Sequence, residues 1–202
     1  MITLCLPVSN KKGFENLQKT LFNLSTDLDK RINILCLCSN KELYLPIRDY
    51  ILQYNAPGEE LTVYTEKKNV LVSLEYLGNK DEYIFLWNQN VIVPPEGVIS
   101  LYREYLERPK AGFISGRVNK VVPYWVNDIY ADKPKLVKTD KHKIESEVDV
   151  SYPFCMLTRM ENFELYYPNR GNGLKFGLNL RRAGFQNYLN KQVICKYNVE
   201  EK

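Results

Sequence analysis

The chain has one histidine in 202 residues, His142. A metal site built on imidazoles is therefore excluded in practice. His142 sits in a Lys-rich stretch between Asp140 and Glu145 and reads as an exposed loop residue. Cysteine is scarce as well: Cys5, Cys36, Cys38, Cys155 and Cys195. The number is odd, no spacing matches a zinc site, and Cys36-x-Cys38 is one residue too short for a redox pair. Four of the five lie in or beside apolar runs, where a free thiol behaves as a small hydrophobe. Reduced thiols and a cytoplasmic location are expected. No apolar run nears the roughly 18 residues that a membrane crossing needs, so no transmembrane segment is expected. The opening MITLCLPVSN has no basic leader, and no signal peptide is expected. Charge of one sign is not in large excess: 28 Lys and Arg face 24 Asp and Glu, a net +4. The densest basic patch, Lys133 to Lys143, is interrupted by Pro, Leu, Val, Thr and Asp and reads as a solvated loop. No nucleic-acid partner is expected. A Gly-rich phosphate loop is also missing after the first apolar run, since Ser9-Asn-Lys-Lys-Gly13 has a single Gly. That counts against nucleotidyl transfer.

What is present is an alternation of short apolar runs and helical stripes. Ile2–Val8 reads as a strand ended by Pro7. Gly13 to Asp27 carries Phe14, Leu17, Leu21, Phe22 and Leu24 at helical spacing. Arg31–Cys38 is a second continuous apolar run, Leu45–Tyr54 a second helix, and Asn55–Gly58 a turn. Leu61–Thr65 reads as a strand and Val70–Leu77 as a short helix capped by Gly78-Asn79. Tyr83–Trp87 follows as a buried strand. Continuous rather than alternating strands imply a sheet covered on both faces and mostly parallel. Glu96–Arg108 reads as a helix with Val98, Leu101, Tyr105 and Leu106 inward. Ala111–Val118 is a strand, and 119–147 is loop-like. Val148–Arg159 is expected as a strand, Gly177–Ala183 as a helix ended by Gly184, and Gln192–Tyr197 as the last strand. No repeat or linker interrupts the chain, and 202 residues suffice for one domain.

The most informative stretch is YIFLWNQNVIVPP at 83–95. A buried strand runs into Asn88-Gln89-Asn90, and Pro94-Pro95 stops any continuation. Polar residues at the carboxyl end of a buried strand are where open α/β sheets bind ligands. Asn88 and Asn90 read either as hydrogen-bonding groups for a ligand or as a polar turn. Trp87 reads either as a stacking platform or as a core residue.

The order of features resembles the GT-A fold of family-2-type glycosyltransferases, which move a sugar from a nucleotide donor to an acceptor. The resemblance spans nearly the whole chain. It rests on Leu6-Pro7-Val8-Ser9-Asn10 after the first strand, Cys38-Ser39-Asn40 after the second, and Asn69 before a helix. It continues through the triplet with Pro94-Pro95, Ser115-Gly116-Arg117, and Leu174–Gly184 with its Arg181-Arg182-Ala-Gly. The family's Asp-x-Asp metal clamp is matched by Asn88 and Asn90. Its late acid pair is matched by Leu174-Lys175, and its metal-side His by Lys196. An amide lacks the charge with which a carboxylate grips a hard cation.

The resemblance implies one GT-A domain over 1–202, a three-layer α/β/α unit with a mostly parallel central sheet. About 1–95 would bind the nucleotide-sugar, and about 96–202 would face the acceptor. It implies a nucleotide-sugar donor and a glycan or other hydroxyl acceptor as partners, and no divalent metal as cofactor. Pro7, Ser9, Asn10, Ser39, Asn40, Asn69, Trp87, Asn88, Asn90, Arg117 and Arg181 would form the donor site. Lys175 and Lys196 would offset diphosphate charge as point charges, against the ordinary fate of Lys as a surface residue. Asp149 is the candidate replacement base in a segment that otherwise reads as a solvated charge run. The alternative is a catalytically inactive module that binds a nucleotide, a glycan or a protein.

Overall fold

A computed structural model describes residues 2–24, 32–53, 62–64, 82–119, 124–126, 135–137, 147–148, 155–167 and 173–198. The first half alternates β1 (Ile2–Val8), α1 (Lys11–Asn23), β2 (Ile32–Cys38), α2 (Lys41–Ile51) and β3 (Thr62–Tyr64). Then come β4 (Tyr83–Trp87), β5 (Val91–Ile92), α3 (Gly97–Leu106) and β6 (Ala111–Val118). The second half holds β7 (Tyr124–Val126), β8 (Lys135–Val137), β9 (Glu147–Val148), β10 (Cys155–Arg159), α4 (Met160–Tyr166), α5 (Gly173–Arg182) and β11 (Gln186–Tyr197). The Asn55–Gly58 turn and the Val70–Leu77 helix fall outside the described residues.

One nine-stranded sheet has the order β3-β2-β1-β4-β10-β6-β11-β5, with β9 also paired to β11. It is mixed rather than mostly parallel. Four pairings are parallel (β1 with β2 and β4, β2 with β3, β6 with β11). Four are antiparallel (β10 with β4 and β6, β11 with β5 and β9). The physical reason is that strand direction leaves no trace in a run covered on both faces. CMLTR reads alike either way, and only the chain's route back to the sheet sets the direction of β10.

Successive residues of the central strands point to different cores. Leu4, Leu6, Phe85 and Ile114 pack with Leu17 and Leu21 of α1, Ile47 and Ile51 of α2, and Val98, Leu101 and Tyr105 of α3. Cys5, Ile84, Leu86, Phe113 and Met156 pack with Met160 and Phe163 of α4 and Phe176 and Leu180 of α5. This two-sided burial accounts for the absence of a polar alternation in β1 and β4.

Several boundaries differ from expectation, each for a local reason. β1 runs through Pro7 to Val8, because its pairing with β4 already stops at Cys5 opposite Leu86. α2 starts at Lys41, since Asn40 caps it by accepting from the Glu42 N–H at 3.0 Å, and Pro46 is absorbed inside the helix. Leu106 points outward, 56% exposed. The expected strand at 148–159 is two strands, β9 and β10, and the loop-like 119–147 contains the β7–β8 pair. The α4 helix follows β10 with no turn residue between them and was not expected. β11 begins at Gln186, six residues early. Its first half is interrupted by Asn187 and Asn190, buried polar residues that break an apolar pattern while satisfying backbone groups. Asn187 Nδ2 donates to the Gly177 carbonyl at 3.1 Å, and Asn190 Oδ1 accepts from the Gln192 and Val193 N–H groups at 2.8 and 2.9 Å. α5 ends as expected at Gly184, whose φ of +90° suits glycine.

Gly116 permits the close approach of β10 and β11 across β6. A Cβ there would collide with Cys155 Sγ and lie 2.9 Å from Val193 Cγ1 and 3.1 Å from the Val193 carbonyl. Gly116→Ala is expected to destabilise toward the upper end of the roughly 1–3 kcal/mol that core overpacking costs. Denaturant titration would measure it. Adding Cys155→Ala should recover part of the loss, and strictly additive effects would contradict the contact.

Candidate functional site

Because β10 is antiparallel to both β4 and β6, strands β1, β2, β4, β6 and β11 all run the same way. Their carboxyl ends share one edge of the sheet. That edge gathers Ser9 and Asn10, Ser39 and Asn40, the 88–90 triplet, Arg117 and Lys196. An open α/β sheet places ligands at this edge.

The triplet is a tight turn. Asn88 Oδ1 accepts from the Asn90 N–H at 2.9 Å, and the Asn88 carbonyl accepts from the Val91 N–H at 3.1 Å. Gln89 folds back onto β1: its Oε1 accepts from the Ser9 N–H at 2.8 Å, and its Nε2 donates to Ser9 Oγ at 2.7 Å. Gly13 makes room for it, since a Cβ at Gly13 would sit 2.5 Å from Gln89 Oε1. Asn90 is half-buried, and its side chain has no hydrogen bond among the described residues. Of the three amides it alone is uncommitted.

The turn rests on a polar row that sequence reasoning missed. Asn16, Thr20 and Asn23 lie at i, i+4 and i+7 on α1. Asn16 Nδ2 donates to the Gln89 carbonyl, Thr20 Oγ1 accepts from the Val93 N–H, and Asn23 Nδ2 donates to the Val93 carbonyl (2.8, 3.2 and 2.8 Å). The signal was present: three polar residues at helical spacing beside the stripe of Leu17 and Leu21. Asn198, also missed, donates its N–H to the Asn90 carbonyl at 2.8 Å.

The remaining expected residues divide. Arg117, near the end of β6 and opposite Ile194, is half-buried. Its Nε is buried with no hydrogen-bond partner among the described residues. Lys196 is exposed opposite Ile92. Ser39 is exposed and donates its N–H to the Val8 carbonyl. Asn10 and Asn40 cap α1 and α2, Asn10 Oδ1 accepting from the Gly13 N–H at 2.7 Å. Trp87 is a core residue. It is 3% exposed and donates Nε1–H to the Val91 carbonyl at 3.0 Å, so its ring is not free to stack on a ligand. Arg181 is not at this edge. Its Nη1 donates to the Phe185 carbonyl, immediately before β11 begins at the opposite edge. Lys175 is exposed early in α5, with no hydrogen bond or ion pair to the triplet. Asn69 and Asp149 lie outside the described residues.

Cavities among the described residues lie away from the triplet. A shallow one of about 470 Å³ lies between α3 and the 189–192 bulge, lined by Arg103, Glu104, Arg108 and Lys191 among others. A smaller one of about 140 Å³ lies beside α4. Beneath the site edge, Cys195 Sγ donates to Cys155 Sγ at 2.8 Å. That contact and burial push the Cys195 thiol up from its ordinary range.

The donor set at the triplet does not fit a divalent cation. It offers neutral amide oxygens, and those of Asn88 and Gln89 already accept N–H groups. Amide oxygens can join the shell of a hard cation, but carboxylates supply the charge that holds it. Among the described residues no three His, Cys, Asp or Glu side chains come together as a metal cluster. No helix among them is long and apolar enough to cross a membrane.

No protein-family model and no curated protein sequence matches the chain. Solved structures do. A mannosyltransferase from Pyrobaculum calidifontis, PcManGT, in complex with GDP-Man and Mn2+, superposes with a TM-score of 0.65 at 13% identity. That match covers 100% of this chain and 57% of the other. GalNAc-T7 with UDP, GalNAc and Mn2+ gives 0.71 at 10% identity, over 100% of this chain and 44% of that one. A197 from STIV gives 0.55 at 9% identity, over 98% and 86%. The chain thus spans about half the length of the first two. These superpositions identify the fold as GT-A-like, the fold that the mannosyltransferase and GalNAc-T7 structures share.

Proposed function

We propose that this protein transfers a sugar from a nucleotide-sugar donor to a hydroxyl group of a glycan or other acceptor, without a bound divalent metal. The observation that carries this reading is the single edge holding Ser9, Ser39, Asn40, Asn90, Arg117 and Lys196 in a GT-A-like sheet. The nucleotide lies across the ends of β1 and β2, against Ser9, Ser39 and the first turn of α2. The diphosphate faces Asn90. Arg117 and Lys196 supply positive charge as the donor's bond to the sugar breaks and the leaving diphosphate gains charge. A guanidinium suits this task because its fork of donors matches phosphate oxygens. Residues 1–95 form the donor half and 96–202 the acceptor half of one domain. The base that takes the acceptor proton lies in the acceptor half, with Asp149 its candidate. Fold alone does not carry an activity, so the reading stands on these side chains.

The test is a thermal-stability titration with UDP-, GDP- and CMP-sugars in EDTA, followed by an assay of donor hydrolysis. At a hundred times Kd a ligand adds about 2.7 kcal/mol, or roughly 5–10 °C in Tm for a chain of this size. One donor is expected to raise Tm in EDTA, with no further rise on adding Mn2+, and to be hydrolysed. Stabilisation without turnover would replace the enzyme by a binding module. A rise only when Mn2+ is present would overturn metal independence.

A further inference from the structure

We infer that Asn16 is a positioning residue for this site: one buried amide that sets the 88–90 turn against the end of β11 and couples the two. Asn16 is completely buried within α1. Its Nδ2 donates to the Gln89 carbonyl and to the Asn198 carbonyl, both at 2.8 Å. Its Oδ1 accepts from Asn198 Nδ2 at 2.6 Å. Both amide hydrogens and the carbonyl oxygen are thereby used, a pattern that neither Asp nor Leu at this position can reproduce. The Asn198 N–H closes the ring by donating to the Asn90 carbonyl. Three segments far apart in sequence, α1, the turn after β4 and the residue after β11, thus meet at one side chain.

The consequence is directional. Asn90 follows the carbonyl that Asn16 holds, and Lys196 stands two residues before Asn198. The Asn90 side chain, uncommitted among the described residues, and the exposed Lys196 of β11 are therefore placed through the same amide, although Asn16 hydrogen-bonds to neither side chain. Thr20 and Asn23 extend the support to Val93, so the loop has little freedom to shift except at this junction. The coupling is reciprocal: a ligand held at Asn90 must also tighten the segment around Asn198. This last step rests on the nucleotide-binding reading above; the structural coupling does not.

Asn198→Ala tests it, because it removes one hydrogen bond from a half-buried residue and leaves the backbone bonds in place. Amide hydrogen exchange is expected to accelerate about tenfold or more in both 88–93 and 195–198, with β1 and β2 unchanged. The Kd for a nucleoside diphosphate should rise about tenfold while Tm moves by only a few degrees. Asn16→Asp, which keeps the shape and removes the donors, should give the same two-segment pattern more strongly if it folds. Acceleration confined to 195–198, or an unchanged Kd for a nucleotide that the parent protein binds, would overturn the inference. A parent protein that binds no nucleotide would sink the proposed function, and the exchange pattern would still decide the coupling.

Discussion

Replacing Arg117 by Met is expected to raise stability and to weaken nucleotide affinity steeply at the same time. Among the described residues the guanidinium Nε is buried without a hydrogen-bond partner. An unsatisfied buried donor costs about 1–3 kcal/mol, and Met fills a similar volume without that cost. Stability should therefore rise by about 1 kcal/mol, visible as a higher denaturant midpoint at unchanged m-value. The proposed diphosphate contact would lose a charge partner, which costs about 2–5 kcal/mol at a desolvated pair. That is a fall in affinity of roughly thirty-fold to several thousand-fold. Arg117→Lys should restore only part, since an ammonium lacks the guanidinium fork. Calorimetry with the donor identified by the stability titration would read the affinity. A destabilised Met variant that still binds nucleotide would place Arg117 in the packing instead of the site.

Raising the pH from 9 to 11 is expected to remove several kcal/mol of stability. Burial pushes the Cys5 thiol from its ordinary 9.0 to about 12. The Cys36 thiol is pushed up too, by burial first and then by Cys38 and Cys5. Burial also raises Cys38, against a backbone hydrogen bond with Asn40 that lowers it. The sign follows from proton counting. Below pH 9 the thiols are protonated in both states and stability does not depend on them. Above pH 9 the unfolded chain releases these protons and the folded chain keeps them, so unfolding becomes easier as pH rises. A thiol that stays protonated in the folded state across this interval withdraws about 1.4 kcal/mol per pH unit. Over two units Cys5 alone accounts for about 2.7 kcal/mol, a large share of the roughly 5–15 kcal/mol that a domain possesses. Urea unfolding at pH 8, 9, 10 and 11 would show the decline. Cys5→Val should remove about one thiol's share of the slope, and a flat profile in the parent protein would contradict the burial of these groups.

Much of the first half was legible because its elements are local. β1, β2 and β4 are largely apolar runs, and α1 and α3 show apolar stripes at helical spacing. The polar turn at 88–90 was legible too, since a buried strand that runs into three amides and a Pro-Pro step has few structural meanings. Several of the errors share a cause: polar residues buried for backbone satisfaction look like exposed ones in a sequence. Asn187 and Asn190 concealed half of β11. Asn16 and Thr20 were hidden within the stripe of α1. Arg181 and Trp87 could be placed near the triplet by order along the chain, but only packing shows that Arg181 sits at the opposite edge and that the Trp87 indole is enclosed.

The residues in order thus determined which segments are strands and helices and where a polar turn interrupts them. Those properties follow from apolar periodicity and turn chemistry over a few neighbouring positions. The reversed direction of β10, the common edge to which five strands point, and the joining of Asn16, Gln89 and Asn198 were decided by the tertiary structure. They depend on contacts across as many as 182 positions, and no local pattern carries information over that separation.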